Sequence, residues 1–293
     1  MKLALGTVQF GLSYGISNRN GRPPTQEVRR ILDGARRVGV GLLDTAHQYG
    51  ESERVLGEAL TSSDRFAIVT KTPALRQCAD ATAAAAAVEA ALHQSLRQLR
   101  VGAVYALLVH NVADLLGSYG ASVFARMQAL RDQGLVQKLG VSVYASDDAE
   151  QARARFPVDV VQLPLSVIDQ RALRSGGLTR LRAAGVEIHA RSAFLQGVLL
   201  MAPDALPPHL APVRESLRRY RGMLADVGLT PLQGALRFVR DVPQVDRVVV
   251  GVTTAAEFDE VAAAFAGPLV DLPEVGSFAA TDPVVINPSL WPA

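Results

Sequence analysis

Short apolar runs of strand length alternate with longer stretches of helical period from one end of this sequence to the other, about eight times over. Such alternation gives parallel strands joined by helical crossovers, and about eight units close on themselves, so the expected fold class is α/β, a (β/α)8 TIM barrel. Strands are expected at Leu3-Thr7, Gly41-Thr45, Phe66-Lys71, Val104-His110, Lys138-Ser142, Asp159-Gln162, Glu187-Ala190 and Arg247-Gly251. Helices are expected at Thr25-Val38, Ser52-Leu60, Ala81-Leu99, Ser122-Gln133, Asp147-Arg155, Arg171-Ala184 and Pro231-Arg240, with another after the last strand. Gly39, Gly134 and Gly185 stand just past three of these helices, where a left-handed cap is needed. The alanine-rich stretch Ala79-Ala91 reads as an ordinary outer helix, because Val88, Leu92, Leu96 and Leu99 form an apolar stripe along it. Two connections, 8-24 and 192-230, exceed what a minimal barrel needs, and long loops usually carry function. The tail 282-293, with its prolines and Trp291, is expected to be irregular and either to cross the barrel mouth or to hang free. No linker or repeat divides residues 1-293, which read as one barrel domain.

Composition narrows the classes of partner. Hydrophobic residues make up 49% and charged residues 20%, enough for a large core. Thirty basic residues against 28 acidic ones are scattered along the chain, so nucleic acid is not an implied partner. The one cysteine, Cys78, cannot close a disulfide within the chain, and the opening MKLALGTVQFG reaches glycine and polar residues too soon for a signal peptide. No apolar run approaches the roughly 20 residues that span a bilayer. The expectation is a soluble, cytoplasmic protein without a membrane partner, and no pattern in the sequence sets its oligomeric state.

Barrel enzymes hold their reactive groups at the carboxyl ends of strands. Here the second strand runs into Asp44 and Tyr49, the third ends at Lys71, and the fourth ends at His110. These four types suit carbonyl reduction. A hydride arriving at a carbonyl carbon leaves charge on the oxygen, so the site needs a proton donor and dipoles that hold that charge. Tyr49 would be the donor, with the Lys71 ammonium favouring its phenolate. Asp44 would pair the buried lysine, and His110 would hydrogen-bond the carbonyl oxygen. Taken singly, Lys71 or His110 could be a salt-bridged rim residue; the coincidence of four compatible types favours chemistry. His47 reads as a surface or supporting residue, and His47, His110 and Cys78 lack metal-ligand spacing, so no metal is expected.

The segment Leu42-Leu-Asp44-Thr-Ala-His-Gln-Tyr49-Gly-Glu-Ser-Glu-Arg-Val-Leu-Gly57 resembles the signature of the aldo-keto reductase family, and Val69-Thr-Lys71 and Leu108-Val-His110-Asn111 resemble its lysine and histidine strands. The resemblance runs over nearly the whole chain. It implies NAD(P)H-dependent reduction of a small aldehyde or ketone, with Asp44, Tyr49, Lys71 and His110 as catalytic tetrad. It also implies an extended cofactor outside any Rossmann motif, and no G-x-G-x-x-G is present.

By the same resemblance, Ser142 and Gln162 would hold the nicotinamide carboxamide, although Val143 stands where the family has asparagine. Thr7, Ser192, Gln196, Gly197, Gly251, Thr253, Thr254 and Glu257 fall at the other positions expected to bind the cofactor, the last four where a strand end runs into a helix whose exposed N–H groups would suit a phosphate. Arg191 replaces an aromatic that commonly stacks on the nicotinamide; it would either stack on the reduced cofactor or bind a carboxylate or phosphate of an acidic substrate, unless a neighbouring acid pairs it. The family generally takes NADP(H), but Glu257 stands where an arginine for the 2'-phosphate is common, so NAD(H) use is also expected. Thr254 and Glu257 read as a capping box besides. Phe10, Tyr14, Tyr119 and Trp291 are the aromatic candidates for the substrate pocket. Two other classes compete with the reductase: a Schiff-base aldolase using Lys71, and a slowly turning-over regulatory subunit that binds the cofactor, similar to potassium-channel β-subunits.

Overall fold

The computed structural model describes residues 1–268 and 272–292. Eight parallel strands close a barrel in chain order: β1 Leu3–Gly6, β2 Leu42–Asp44, β3 Ala67–Lys71, β4 Val104–Val109, β5 Val136–Ser142, β6 Val160–Pro164, β7 Glu187–Arg191 and β8 Arg247–Gly251. Every expected strand is present, with ends that differ by no more than two residues. Gly6 stands level with Asp44 on one side and with Gly251 on the other, and Ser142 stands level with Gln162. This register brings the strand ends that carry chemistry to one rim.

Alternation along the strands divides the core. Ala4, Leu42, Val69, Ala106, Leu108 and Val160 pack together inside the barrel, whereas Leu3, Leu5, Leu43, Ile68 and Leu107 face the helices. Helix Thr25–Arg37 buries Val28, Ile31, Leu32 and Ala35 at helical spacing, and each large aliphatic so buried contributes about 1.5–3 kcal/mol. The chain then turns at Gly39, whose φ of +78° favours glycine. Helix Ala81–Leu99 is the outer helix expected of the alanine-rich stretch, capped by Asp80 at the Ala83 N–H. Toward the amino ends of the strands, Glu187 accepts from Lys138 and Tyr105, each at 2.6 Å, and lies 2.9 Å from the buried His189, forming a polar floor.

Three expectations require correction. The helix expected at Arg171-Ala184 breaks into Arg171–Arg174 and Gly177–Ala183, because Gly176 at φ +74° turns the chain between them. The connection 192-230 is no plain loop: it carries helix Arg214–Asp226, held down by Leu217, Tyr220 and Leu224. The tail neither hangs free nor stays irregular, since it forms the single helical turn Pro283–Ile286 and the 3-10 turn Pro288–Leu290 and buries Val285 and Ile286. Trp291 donates to the Val284 carbonyl at 2.8 Å and lies 5.5 Å from His209. Ala293 lies outside the described residues. Among the described residues no helix is long and apolar enough to cross a membrane.

Candidate active site

The β2–Tyr49 connection is a tight turn in which the Tyr49 N–H donates to the Ala46 carbonyl. Gly11 presses on it so closely that a Cβ there would sit 1.8 Å from the Tyr49 carbonyl oxygen, so only glycine lets the two loops pack. Behind the turn the Thr7 hydroxyl donates to the Asp44 carbonyl at 2.9 Å and meets the Ser52 hydroxyl at 2.8 Å. These contacts fix Asp44 and Tyr49 relative to β1.

Lys71, at the end of β3 and fully buried, reaches across to β2. Its Nζ donates to Asp44 Oδ1 and Oδ2 at 2.9 and 2.8 Å, to the Thr45 carbonyl at 2.8 Å and to the Tyr49 hydroxyl at 3.3 Å. Burial pushes the ammonium down, but the Asp44 charge and the hydrogen bonds to Asp44 and Tyr49 outweigh it and hold the group above the ordinary lysine value. Lys71 is therefore a cation here, not a free amine. Gln162 Nε2 also donates to Asp44 Oδ1, at 2.7 Å from across the barrel. Its amide oxygen has no protein partner among the described residues.

His110 follows β4 and stands edge-on to Tyr49, with ring centroids 5.8 Å apart. Burial, reinforced by the like charge of Lys71, pushes its pKa down to about 3, so the imidazole is neutral. Its backbone N–H donates to Thr72 Oγ1 at 3.2 Å, and its buried Nδ1 has no partner among the described residues. Tyr49 and His110 both open onto a cavity of about 920 Å3 at the carboxyl rim, which Asp44, Ser142 and Gln162 also line. Among the described residues no cluster of His, Cys, Asp or Glu could hold a metal ion.

Arg191 lines the same cavity without an acid partner among the described residues. Its guanidinium lies 4.5 Å from the centroid of the Tyr144 ring and donates to the Val143 carbonyl at 3.1 Å and the Ser192 hydroxyl at 3.2 Å. Tyr14 faces the cavity from the first loop. After β7 the backbone takes positive φ at Ser192, Leu195, Gln196 and Gly197, and Ser192, Gln196 and Gly197 line the cavity. The first loop meets this segment: a Cβ on Gly197 would fall 1.9 Å from Ser17 Oγ. The same loop reaches β8, where Asn20 Nδ2 donates to Thr253 Oγ1 at 3.1 Å.

At the β8 end, Gly251, Thr253 and Glu257 line the cavity. Thr254 caps helix Ala255–Ala266 by accepting from the Glu257 N–H at 3.1 Å, and it is not in the cavity wall. The expected capping box is incomplete, because the Glu257 carboxylate accepts instead from the Thr253 N–H at 2.7 Å and the Thr253 hydroxyl at 2.9 Å. The Ala255 N–H donates to Glu27 at 2.7 Å, a contact between ends of the chain.

Three of the aromatic candidates lie away from the cavity wall. Phe10 lies in the turn Val8–Gly11, which points its ring into the core, where it is 1% exposed. Tyr119 packs on the core with its hydroxyl donating to the Cys78 carbonyl, and Trp291 is held in the tail. Neither lines the cavity. Tyr144 and Ser52 were missed by the sequence reading. Tyr144 stands two residues beyond Ser142, a strand-end position that could have marked it.

The sequence matches the aldo/keto reductase family model over residues 2–273. It is 29% identical over 267 residues to oxidoreductases of Mycobacterium tuberculosis and Mycobacterium bovis that are themselves named uncharacterized, covering 83% of this chain and 78% of theirs. A glycerol dehydrogenase from Gluconobacter oxydans shares the fold with a TM-score of 0.73 at 20% identity, covering 100% of this chain and 93% of that one. An aldo-keto reductase from Bacillus halodurans does so with a TM-score of 0.75 at 18% identity, covering 95% and 92%. With the family matched across nearly the whole barrel, this chain belongs to the aldo/keto reductases and so to the NAD(P)H-dependent oxidoreductases.

Proposed function

We propose that this chain reduces an aldehyde or ketone to the alcohol, with Tyr49 as proton donor and Asp44, Lys71 and His110 completing the site. The observation that carries the reading is the Lys71 ammonium, held by Asp44 and 3.3 Å from the Tyr49 hydroxyl at the cavity wall. The cavity suits a nicotinamide dinucleotide, because the Ser142 hydroxyl and the unpartnered Gln162 amide oxygen offer a donor and an acceptor to a carboxamide edge. When bound, the reduced nicotinamide supplies the hydride to the carbonyl carbon.

Tyr49 gives its phenolic proton to the carbonyl oxygen, and the phenolate left behind is stabilised by the ammonium until solvent reprotonates it. His110, neutral at working pH, can donate a hydrogen bond to the same oxygen without the cost of carrying charge in a buried site. Lys71 stays protonated throughout, which speaks against a Schiff base: a neutral amine is the nucleophile in that chemistry. Arg191, which has no acid partner among the described residues, favours a carbonyl substrate that also carries a carboxylate or phosphate.

The test is loss of reduced-nicotinamide absorbance when the purified protein meets NADH or NADPH and a panel of aldehydes. Tyr49→Phe should lower kcat by about 10²–10⁴ while dinucleotide binding persists. Unchanged turnover in that variant would remove the assignment of Tyr49.

A further inference from the structure

We propose that this chain selects NAD(H) over NADP(H), because the Glu257 carboxylate occupies the anion-binding position at the β8 end of the cavity while Glu27 takes a backbone N–H at the start of the helix that follows. The proposal rests on the reductase reading, which sets the nicotinamide beside Tyr49 and His110. A dinucleotide lying in the single cavity that these residues line must then run its second nucleotide along the same cavity, under the loop that carries Ser17 to Asn20 and toward Thr253 and Glu257.

Three backbone N–H groups between the end of β8 and the first turn of helix Ala255–Ala266, those of Thr253, Ala255 and Glu257, would suit a phosphate if they were free. None of them is. The Thr253 N–H is taken by the Glu257 carboxylate at 2.7 Å, the Ala255 N–H by Glu27 at 2.7 Å, and the Glu257 N–H by the Thr254 hydroxyl at 3.1 Å. Glu257 is locked further by the Thr253 hydroxyl at 2.9 Å, which Asn20 in turn supports. The hydrogen bond to Ala255, followed by pairing with Arg30, holds the Glu27 carboxyl below the usual carboxylate range, so it is ionised at neutral pH.

A 2'-phosphate arriving here meets fixed negative charge and finds the N–H groups of Thr253, Ala255 and Glu257 already taken, whereas a ribose 2'-hydroxyl has a proton to give to a carboxylate. The nearby cations do not reverse this. Arg30 is spent on Glu27 at 3.1 Å, Arg221 in the cavity wall donates to the Leu200 and Met201 carbonyls at 2.9 Å, and Arg19 lines the cavity from an exposed stretch of loop without an anchoring partner among the described residues. Segment 251–261 contains neither lysine nor arginine.

The experiment is a titration of the full chain with NADH and with NADPH, read by reduced-nicotinamide fluorescence, which needs no turnover. The wild type should bind NADH at least about tenfold more tightly, and raising salt from about 50 to about 500 mM should narrow the gap by screening the carboxylates. Glu257→Gln keeps the shape and the bond to Thr253; it should close most of the gap, chiefly by tightening NADPH. Arg19→Ala should leave the preference in place. AMP should compete with NADH better than adenosine 2',5'-bisphosphate does, which locates the discrimination at the adenosine end. Equal or tighter NADPH binding by the wild type, or an unmoved ratio in Glu257→Gln, would overturn the proposal. If folded protein binds neither dinucleotide, the reductase reading falls and takes this one with it.

Discussion

Replacing Asp44 by asparagine keeps the shape of the site and removes one charge. The carboxylate accepts two hydrogen bonds from Lys71 and one from Gln162, and both ionic partners are almost wholly buried, at 3% exposure for Asp44 and 1% for Lys71. Losing one partner of such a pair costs about 3–5 kcal/mol, since the ammonium is left uncompensated, and at about 2 °C per kcal/mol for a chain of this length Tm should fall by about 6–10 °C. The pH dependence should change as well. In the wild type the folded lysine is raised, so its contribution is complete below the unfolded value of about 10.4 and is lost as pH rises through the folded value. In Asp44→Asn the raising charge is gone and burial dominates, so the folded lysine falls below the unfolded one. The variant should then gain stability as pH rises toward 10.4, where the wild type gains none from this group. Adding Lys71→Met to Asp44→Asn removes the stranded charge and should recover most of the loss. Thermal melts of the three proteins between pH 7 and 10 decide the matter. A single variant within about 1 kcal/mol of wild type, or a double variant no better than the single, would refute the account of a mutually dependent pair.

Two other outcomes follow from the site. Because His110 titrates at about 3, kcat/KM should show no histidine ionisation between pH 5 and 8; a limb near pH 6.5 that vanishes in His110→Asn would contradict a neutral imidazole. Arg191→Ala should raise KM for acidic aldehydes by about 10–100-fold more than for neutral ones, as expected for one charge-assisted hydrogen bond, and equal effects in steady-state assays would remove the anionic-substrate reading.

The barrel and its rim were legible because both rest on local patterns. Each β-strand is a short apolar run, and Asp44, Lys71 and His110 fall within one residue of strand ends, so the closed sheet gathers them without further information. The direction of a side chain in a loop has no such signal. Phe10 looked like a rim aromatic and turned inward because a single helical turn follows β1. Helix Arg214–Asp226 was overlooked although Leu217, Tyr220 and Leu224 keep helical spacing, since the proline-rich segment before it reads as open loop. Contacts between distant segments were beyond reach: nothing local announces that Glu27 answers Ala255 or that Gln162 answers Asp44.

The close approach of Ser17 to Gly197, and of Asn20 to Thr253, turns an open groove into a roofed passage. The first loop thereby covers the cavity along the side that faces β7 and β8. Position 197 is the keystone, because any side chain larger than hydrogen would both strain a backbone at φ +99° and wedge the two spans apart. A larger residue at 197 would therefore change the shape of the passage as well as the course of the chain after β7.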